Sequence, residues 1–250
     1  SAFDVESFII DIRDYIVQKY PLPDLRNLLK ANPAINSLCK DEDGIFWFSQ
    51  DRYGLCIYDS RKEKLKHYSQ CQGTRNLPFG DVTNIARSYN HNWIWATSYG
   101  PTIFGLSQQN MEMKEEVRIE LGNVTNNPGL ITSLFEDPQN NLWIGTTTGL
   151  FVYRIMSATL ESIPEVSGPV AGITQTADSR IWAVIRNKGI YRIEQDKRIE
   201  SYPFDKDFVC IDATSDGNLW MGTTEGEVLQ FDPRQKEKLK DYSFSCGMKG

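Results

Sequence analysis

Chemistry that needs an imidazole has two candidates in this chain, His67 and His91, and chemistry that needs a thiolate has five, Cys39, Cys56, Cys71, Cys210 and Cys246. The cysteines are odd in number and form no Cys-x-x-Cys pair, which argues against a zinc site or a redox dithiol. Buried, inert thiols are the expectation. No HExxH, no Gly-rich phosphate loop ending in Lys-Ser/Thr and no GxSxG occurs. The nearest thing to a cation-binding pattern is Asp41-Glu42-Asp43-Gly44. Carboxylates at a spacing of two could join a Ca²⁺ site, but the further oxygens and distal Glu of an EF-hand-like loop are missing. Turn chemistry accounts for the tetrapeptide better. Neither metal, cofactor nor catalytic residue is expected.

Bulk properties narrow the field further. The 250 residues are 40% hydrophobic and 24% charged, with a formal charge of −6. That is the composition of a globular protein with an ample core. Net negative charge without a dense Lys/Arg stripe argues against nucleic acid as a partner, because phosphate binding needs clustered cations. The longest apolar run is far short of the roughly 20 residues that cross a bilayer, so neither a membrane segment nor an uncleaved signal peptide is expected. The start at Ser1-Ala2 rather than Met hints at a trimmed chain and leaves its native flanks unknown.

The elements that must carry these residues announce themselves through tryptophan. Trp47, Trp95, Trp143, Trp182 and Trp220 are separated by 48, 48, 39 and 38 residues, each inside the same local phrase. The third copy is the cleanest: Ile131 to Asp137, a polar turn Pro138-Gln139-Asn140-Asn141, then Leu142-Trp143-Ile144-Gly145-Thr146, then Gly149-Leu150-Phe151-Val152-Tyr153. The first runs from Ile35 through Asp43-Gly44 and Trp47 to Asp59, the fourth from Val170 through Trp182 to Ile193, and the fifth from Phe208 through Asp216-Gly217 and Trp220 to Asp232. The second, around Trp95, keeps the Trp but loses the Asp-Gly turn.

Each period holds four segments of β-branched and aromatic residues bounded by Asp, Asn, Gly or Pro, the pattern of short antiparallel strands and tight turns. Four strands every 38 to 48 residues predict an all-β fold, a β-propeller of four-stranded antiparallel blades. Five clear repeats fall at about 35–80, 81–128, 129–168, 169–206 and 207–250, with the Trp of each filling the gap between adjacent sheets. Residues 1–34 are expected to form a partial blade, with strands over Ser7–Arg13 and Tyr15–Tyr20 and a short helical turn over Asp24–Lys30. Five blades and a half could close as a small ring or belong to a larger propeller.

Repeated in one chain, Ile-x-x-Leu-x-x-Asp, the Asp-Gly or Asn-Asn turn, Leu-Trp-Ile-Gly-Thr and Gly-Leu-Phe-x-Tyr resemble the two-component regulator propeller repeat. The resemblance covers about residues 35 to 245. It implies the extracytoplasmic, periplasmic sensor region of a hybrid two-component system of the Bacteroidetes type, anchored in the inner membrane, responding to oligosaccharides and signalling to a histidine kinase beyond this chain. The implied partners are an oligosaccharide ligand, adjacent domains of the same sensor and a second copy in a homodimer. This region would itself be non-catalytic.

On a propeller, loops from the second to the third strand and from one blade to the next surround the channel, and small ligands settle in such clefts. Those loops here carry Arg52, Tyr53, Tyr99 and Arg186. An aromatic face with guanidinium donors suits a sugar, so these four are the candidate ligand-binding residues. The alternative is a propeller scaffold for protein-protein interaction. A lyase resembling the streptogramin-inactivating propeller would need a His beside a metal-binding carboxylate on that loop face. His67 maps to an outer strand and His91 to a first-hairpin turn, both read as exposed polar residues.

Overall fold

The computed structural model describes residues 8–11, 16–19, 35–41, 43–50, 54–59, 61–62, 64–68, 81–109, 112–194, 198–235 and 239–242. Two compact units divide the chain, 1–34 and 35–250. In the first, β1 (Phe8–Asp11) and β2 (Ile16–Lys19) form an antiparallel hairpin with Phe8 opposite Lys19. The helical turn expected over Asp24–Lys30 lies outside the described residues.

The second unit is a β-propeller of five four-stranded antiparallel blades. Blade 1 is β3 (Ile35–Lys40), β4 (Ile45–Gln50), β5 (Gly54–Asp59) and β6 (Lys64–Tyr68). Blade 2 is β7 (Asn84–Arg87), β8 (Ile94–Thr97), β9 (Thr102–Gln109) and β10 (Glu112–Glu120). Blade 3 is β11 (Ile131–Glu136), β12 (Asn141–Thr146), β13 (Gly149–Arg154) and β14 (Thr159–Ser167). Blade 4 is β15 (Val170–Gln175), β16 (Ile181–Ile185), β17 (Gly189–Ile193) and β18 (Ile199–Pro203). Blade 5 is β19 (Phe208–Ala213), β20 (Leu219–Thr223), β21 (Val228–Phe231) and β22 (Leu239–Asp241). Neighbouring blades meet through their first strands, in the succession β3, β7, β11, β15, β19.

The core lies between blades, and this explains why the middle strands read as unbroken apolar runs rather than alternating ones. A sheet covered on both faces has no solvent side, so β5, β8 and β16 are buried at every position. Outer strands such as β14 and β18 are mostly exposed or half-buried. Each indole points toward the next blade. Trp47 packs with Ile85 and Ile94, Trp95 with Leu142 and Ile144, Trp143 with Ile173 and Ile181, and Trp182 with Phe208 and Leu219. Gly145, two residues past its Trp, is required by the closeness of that packing: a Cβ there would lie 2.6 Å from Val170 Cγ1 of the next blade.

The fifth Trp departs from the expected burial. Trp220 is half-buried and lies against Tyr242, ring centroids 4.9 Å apart. Its neighbours Leu219 and Met221 face blade 4 and are buried.

Among the described cysteines, Cys56 is buried, Cys39 half-buried and Cys210 exposed. Burial pushes the Cys39 and Cys56 thiols up to about 12, with Asp41 adding to the effect at Cys39, whereas Cys210 is exposed. Since the thiolate is the nucleophile, Cys210 should be alkylated in the native protein at neutral pH and Cys39 and Cys56 only after unfolding. Peptide mapping after iodoacetamide treatment checks this, and early labelling of Cys56 would refute it.

Candidate functional site

The face expected to hold a ligand is built by turns from the second to the third strand. Tyr99 sits in the bend between β8 and β9 and is 63% exposed. Arg186 sits in the turn between β16 and β17, where Asn187 and Gly189 both have positive φ and Lys188 N–H donates to the Ile185 carbonyl at 3.1 Å. Its guanidinium is already engaged. Arg186 Nε donates to Asp207 Oδ1 at 2.8 Å and a second nitrogen to Oδ2 at 2.5 Å. This fork holds the Asp207 carboxyl below the usual carboxylate range and ties blade 4 to the entrance of blade 5.

Other cations on this face are occupied in the same way. Lys188 Nζ donates to the Ser167 carbonyl at 2.9 Å, and Lys206 Nζ to Glu227 at 2.5 Å. Tyr99 and Arg186 belong to blades 2 and 4, with blade 3 between them, and Arg52 and Tyr53 lie outside the described residues. Of the four sequence candidates, Tyr99 is the exposed aromatic on this rim, and Arg186 is a strap between blades.

The opposite face is built by the first turns, and here the repeat shows its purpose. In blades 1, 3, 4 and 5, the residue three before the Trp has positive φ: Gly44, Asn140, Ser179 and Gly217. The same pair of backbone hydrogen bonds closes each turn, for example Asn140 N to Asp137 O at 3.2 Å and Asp137 N to Asn141 O at 2.9 Å. A type I turn followed by a left-handed residue has this form.

Asp137 fills the turn. Its Oδ1 accepts from the backbone N–H groups of Gln139 and Asn141, both at 2.9 Å, and its Oδ2 accepts from Trp143 Nε1 at 2.8 Å. Asp41 does the same for Ile45 N and Trp47 Nε1, at 2.9 and 2.8 Å. In blade 4 Thr176 takes the position and accepts from Trp182 Nε1 at 3.0 Å. In blades 1, 3 and 4 the buried indole thus has its N–H partner six residues before it, and Asp41 is occupied by the turn.

Blade 2 breaks the rule. Ser88 to Trp95 is seven residues where the other blades have six, Ser88 replaces the Asp, and no residue of this turn has positive φ. Trp95 Nε1 therefore crosses to blade 3 and donates to the buried Glu136 at 2.5 Å. Glu136 also accepts from Asn90 N–H at 3.3 Å and lies 3.7 Å from His91 Nδ1. His91 is not simply exposed: it stacks on Trp93 with centroids 4.2 Å apart and planes 8° from parallel. It sits at the end of β8 opposite Tyr99. For His67 the strand position, on β6, is the extent of the description.

Two grooves open on this face at equivalent places. One lies between blades 1 and 2, about 280 Å³, lined by Asp41, Asp43, Trp47, Asn92, Trp93 and Gln108 among others. The other lies between blades 3 and 4, about 310 Å³, lined by Asp137, Gln139, Asn141, Trp143, Arg154 and Glu194 among others. Neither groove contains Tyr99 or Arg186.

Residues 127–148, spanning the first hairpin of blade 3, match the family model of the two component regulator propeller. That hairpin is similar to a two component regulator propeller repeat. Among solved structures, the chain is similar to extracellular domains of two hybrid two component systems of B. thetaiotaomicron. One is 18% identical with a TM-score of 0.62, covering 78% of this chain and 26% of the other. The second is 16% identical with a TM-score of 0.65, covering 84% and 30%. The chain therefore spans less than a third of either. It is also similar to a streptogramin B lyase, 19% identical with a TM-score of 0.65, covering 84% of this chain and 68% of that one. No curated protein matches it. At these identities the structural likenesses speak for the fold alone.

Proposed function

We propose that this chain is the non-catalytic, ligand-sensing part of a periplasmic hybrid two-component sensor, binding an oligosaccharide and passing the signal to a histidine kinase in the same protein. The observation that carries the reading is the regulator propeller match at residues 127–148, inside a propeller in which four of the five blades share the same turn. The likeness to extracellular domains of two such systems supports it. The ligand is assigned to the loop face, with Tyr99 and, beside it in the sequence argument, Arg52, Tyr53 and Arg186 as contacts. Ligand binding would act by shifting the population of domain arrangements.

Titration calorimetry with a panel of glycan fragments tests this. Saturable heat is expected, and Tyr99→Ala should weaken it by roughly tenfold, the scale of one lost aromatic contact. Silence across the panel, together with binding to a protein partner, would establish the scaffold instead.

A further inference from the structure

Single exposed apolar side chains are ordinary, whereas clusters of them mark binding surfaces. Among the described residues seven large apolar side chains are exposed, and three of them, Tyr99 at 63%, Leu130 at 53% and Val124 at 38%, fall within two short segments, 98–101 and 121–130. Hydrogen bonds bring these segments to the same end of blades 2 and 3. Leu121 N–H donates to the Pro101 carbonyl at 3.0 Å, beside the β8–β9 turn that holds Tyr99. At its other end the second segment is tied to the β12–β13 turn. Thr147 N–H donates to the Leu130 carbonyl at 2.9 Å, Leu130 N–H donates to Thr147 Oγ1 at 3.0 Å, and Thr148 Oγ1 donates to the Pro128 carbonyl at 2.8 Å. The connection from blade 2 to blade 3 is thus laid across the loop face and pinned there at both ends.

The surface so formed carries no charge. Residues 98–101 and 121–130 contain no Asp, Glu, Lys or Arg, in a chain that is 24% charged. Beside the apolar groups they expose amides, those of Asn123, Asn126 and Asn127. Elsewhere on the loop face, among the described residues, carboxylates prevail. Arg186 is forked onto Asp207, Lys206 lies 2.5 Å from Glu227 and 3.9 Å from Glu225, and Lys188 Nζ is drawn onto the Ser167 carbonyl and hydroxyl at 2.9 and 3.1 Å. Asp81 and Asp205, in the connections into blades 2 and 5, and Glu120, which accepts from Thr102 Oγ1 at 2.7 Å, add negative charge. An anionic ligand would meet this excess and, on the patch itself, no cation to offset its desolvation.

We propose that the ligand of this face is a neutral oligosaccharide, carrying neither carboxylate nor sulfate, seated on the uncharged patch that Tyr99, Val124, Asn126 and Leu130 present over blades 2 and 3. The inference rests on the sensing role proposed above and adds to it the chemical class of the ligand and its seat. A sugar ring packs its C–H face on aromatic and aliphatic groups, and each exposed amide offers donors and an acceptor to the hydroxyls at the ring's edge. Because the segment is pinned at both ends, little of it has to be ordered on binding.

The test is calorimetry on the 250-residue chain with two sets of probes, neutral xylo-, manno- and galacto-oligosaccharides against acidic oligogalacturonides and chondroitin sulfate disaccharides. At least one neutral probe should give saturable heat and bind more tightly than every acidic one. Leu130→Ala and Asn126→Ala should each weaken it by about threefold to tenfold. Both side chains are exposed, so neither substitution should move the urea midpoint. Met156→Ala, in the exposed β13–β14 turn at the other end of blade 3, should leave the affinity unchanged. Heat with neither set would overturn this proposal together with the sensing role. Heat confined to the acidic set, or acidic binding tighter than neutral, would overturn the neutral ligand and leave the sensing role standing. Neutral binding that survives both Leu130→Ala and Asn126→Ala would overturn the seat over blades 2 and 3.

Discussion

Replacing Trp143 by Ala should destabilise the propeller by about 3–5 kcal/mol, the range for truncating a large buried aromatic. Trp143 is 8% exposed and packs with Leu150 and Val152 of its own blade and Ile173, Ile181 and Ile185 of the next. Removing the indole leaves a cavity between two sheets and strands Asp137 Oδ2 without its N–H donor. Against a typical total stability of about 5–15 kcal/mol the loss is large, and for a chain of this size it should lower the melting temperature by on the order of 10 °C. Trp220→Ala is the natural comparison. Half-buried and set against Tyr242, it should cost clearly less. Equal losses at the two positions would show that burial between blades does not set the cost.

The second large effect is expected at Asp137, a residue with no part in the apolar core. It is 2% exposed and receives the backbone N–H groups of Gln139 and Asn141, the Asn141 side chain and the Trp143 indole. Asp137→Ala strands the buried Trp143 N–H and removes the acceptor of three part-buried donors, and at about 1–3 kcal/mol for the buried group and less for each of the others the loss should be roughly 3–4 kcal/mol. Asp137→Asn should fall between, since its carbonyl oxygen can keep the backbone donors while its amide N–H₂ cannot accept from the indole. Urea midpoints at unchanged slope measure both. A loss in Asp137→Ala below about 1 kcal/mol, the worth of a single ordinary hydrogen bond, would mean the turn holds its shape from backbone bonds alone.

The architecture was legible because its determinants are local. The Trp, the Asp or Thr six residues before it and the left-handed residue three before it occupy one turn, so each copy spells its own hairpin. Repetition then implies that each blade buries the same face against the next. The N-terminal hairpin was legible for the same reason, as two runs separated by a few residues. Burial of Trp220 was misjudged because it depends on what packs against its blade from elsewhere, which no residue near Trp220 encodes.

The candidate site was much less legible. Arg186 reads as a free guanidinium on a loop, but its partner Asp207 stands 21 residues away in the next blade, outside any local pattern. The groove between blades 1 and 2 left one trace in the sequence, the extra residue between Ser88 and Trp95 and the missing Asp-Gly turn, visible as a defect in the repeat rather than as a motif.

What the sequence alone determined is the blade: strand and turn, set by hydrogen bonds and packing within a few positions. Tertiary structure alone decided which polar atoms have partners. Asp41, Trp93 and Gln108 reach one groove only because two separate sheets stack face to face, and whether a buried donor is satisfied depends on what the neighbouring sheet brings to it.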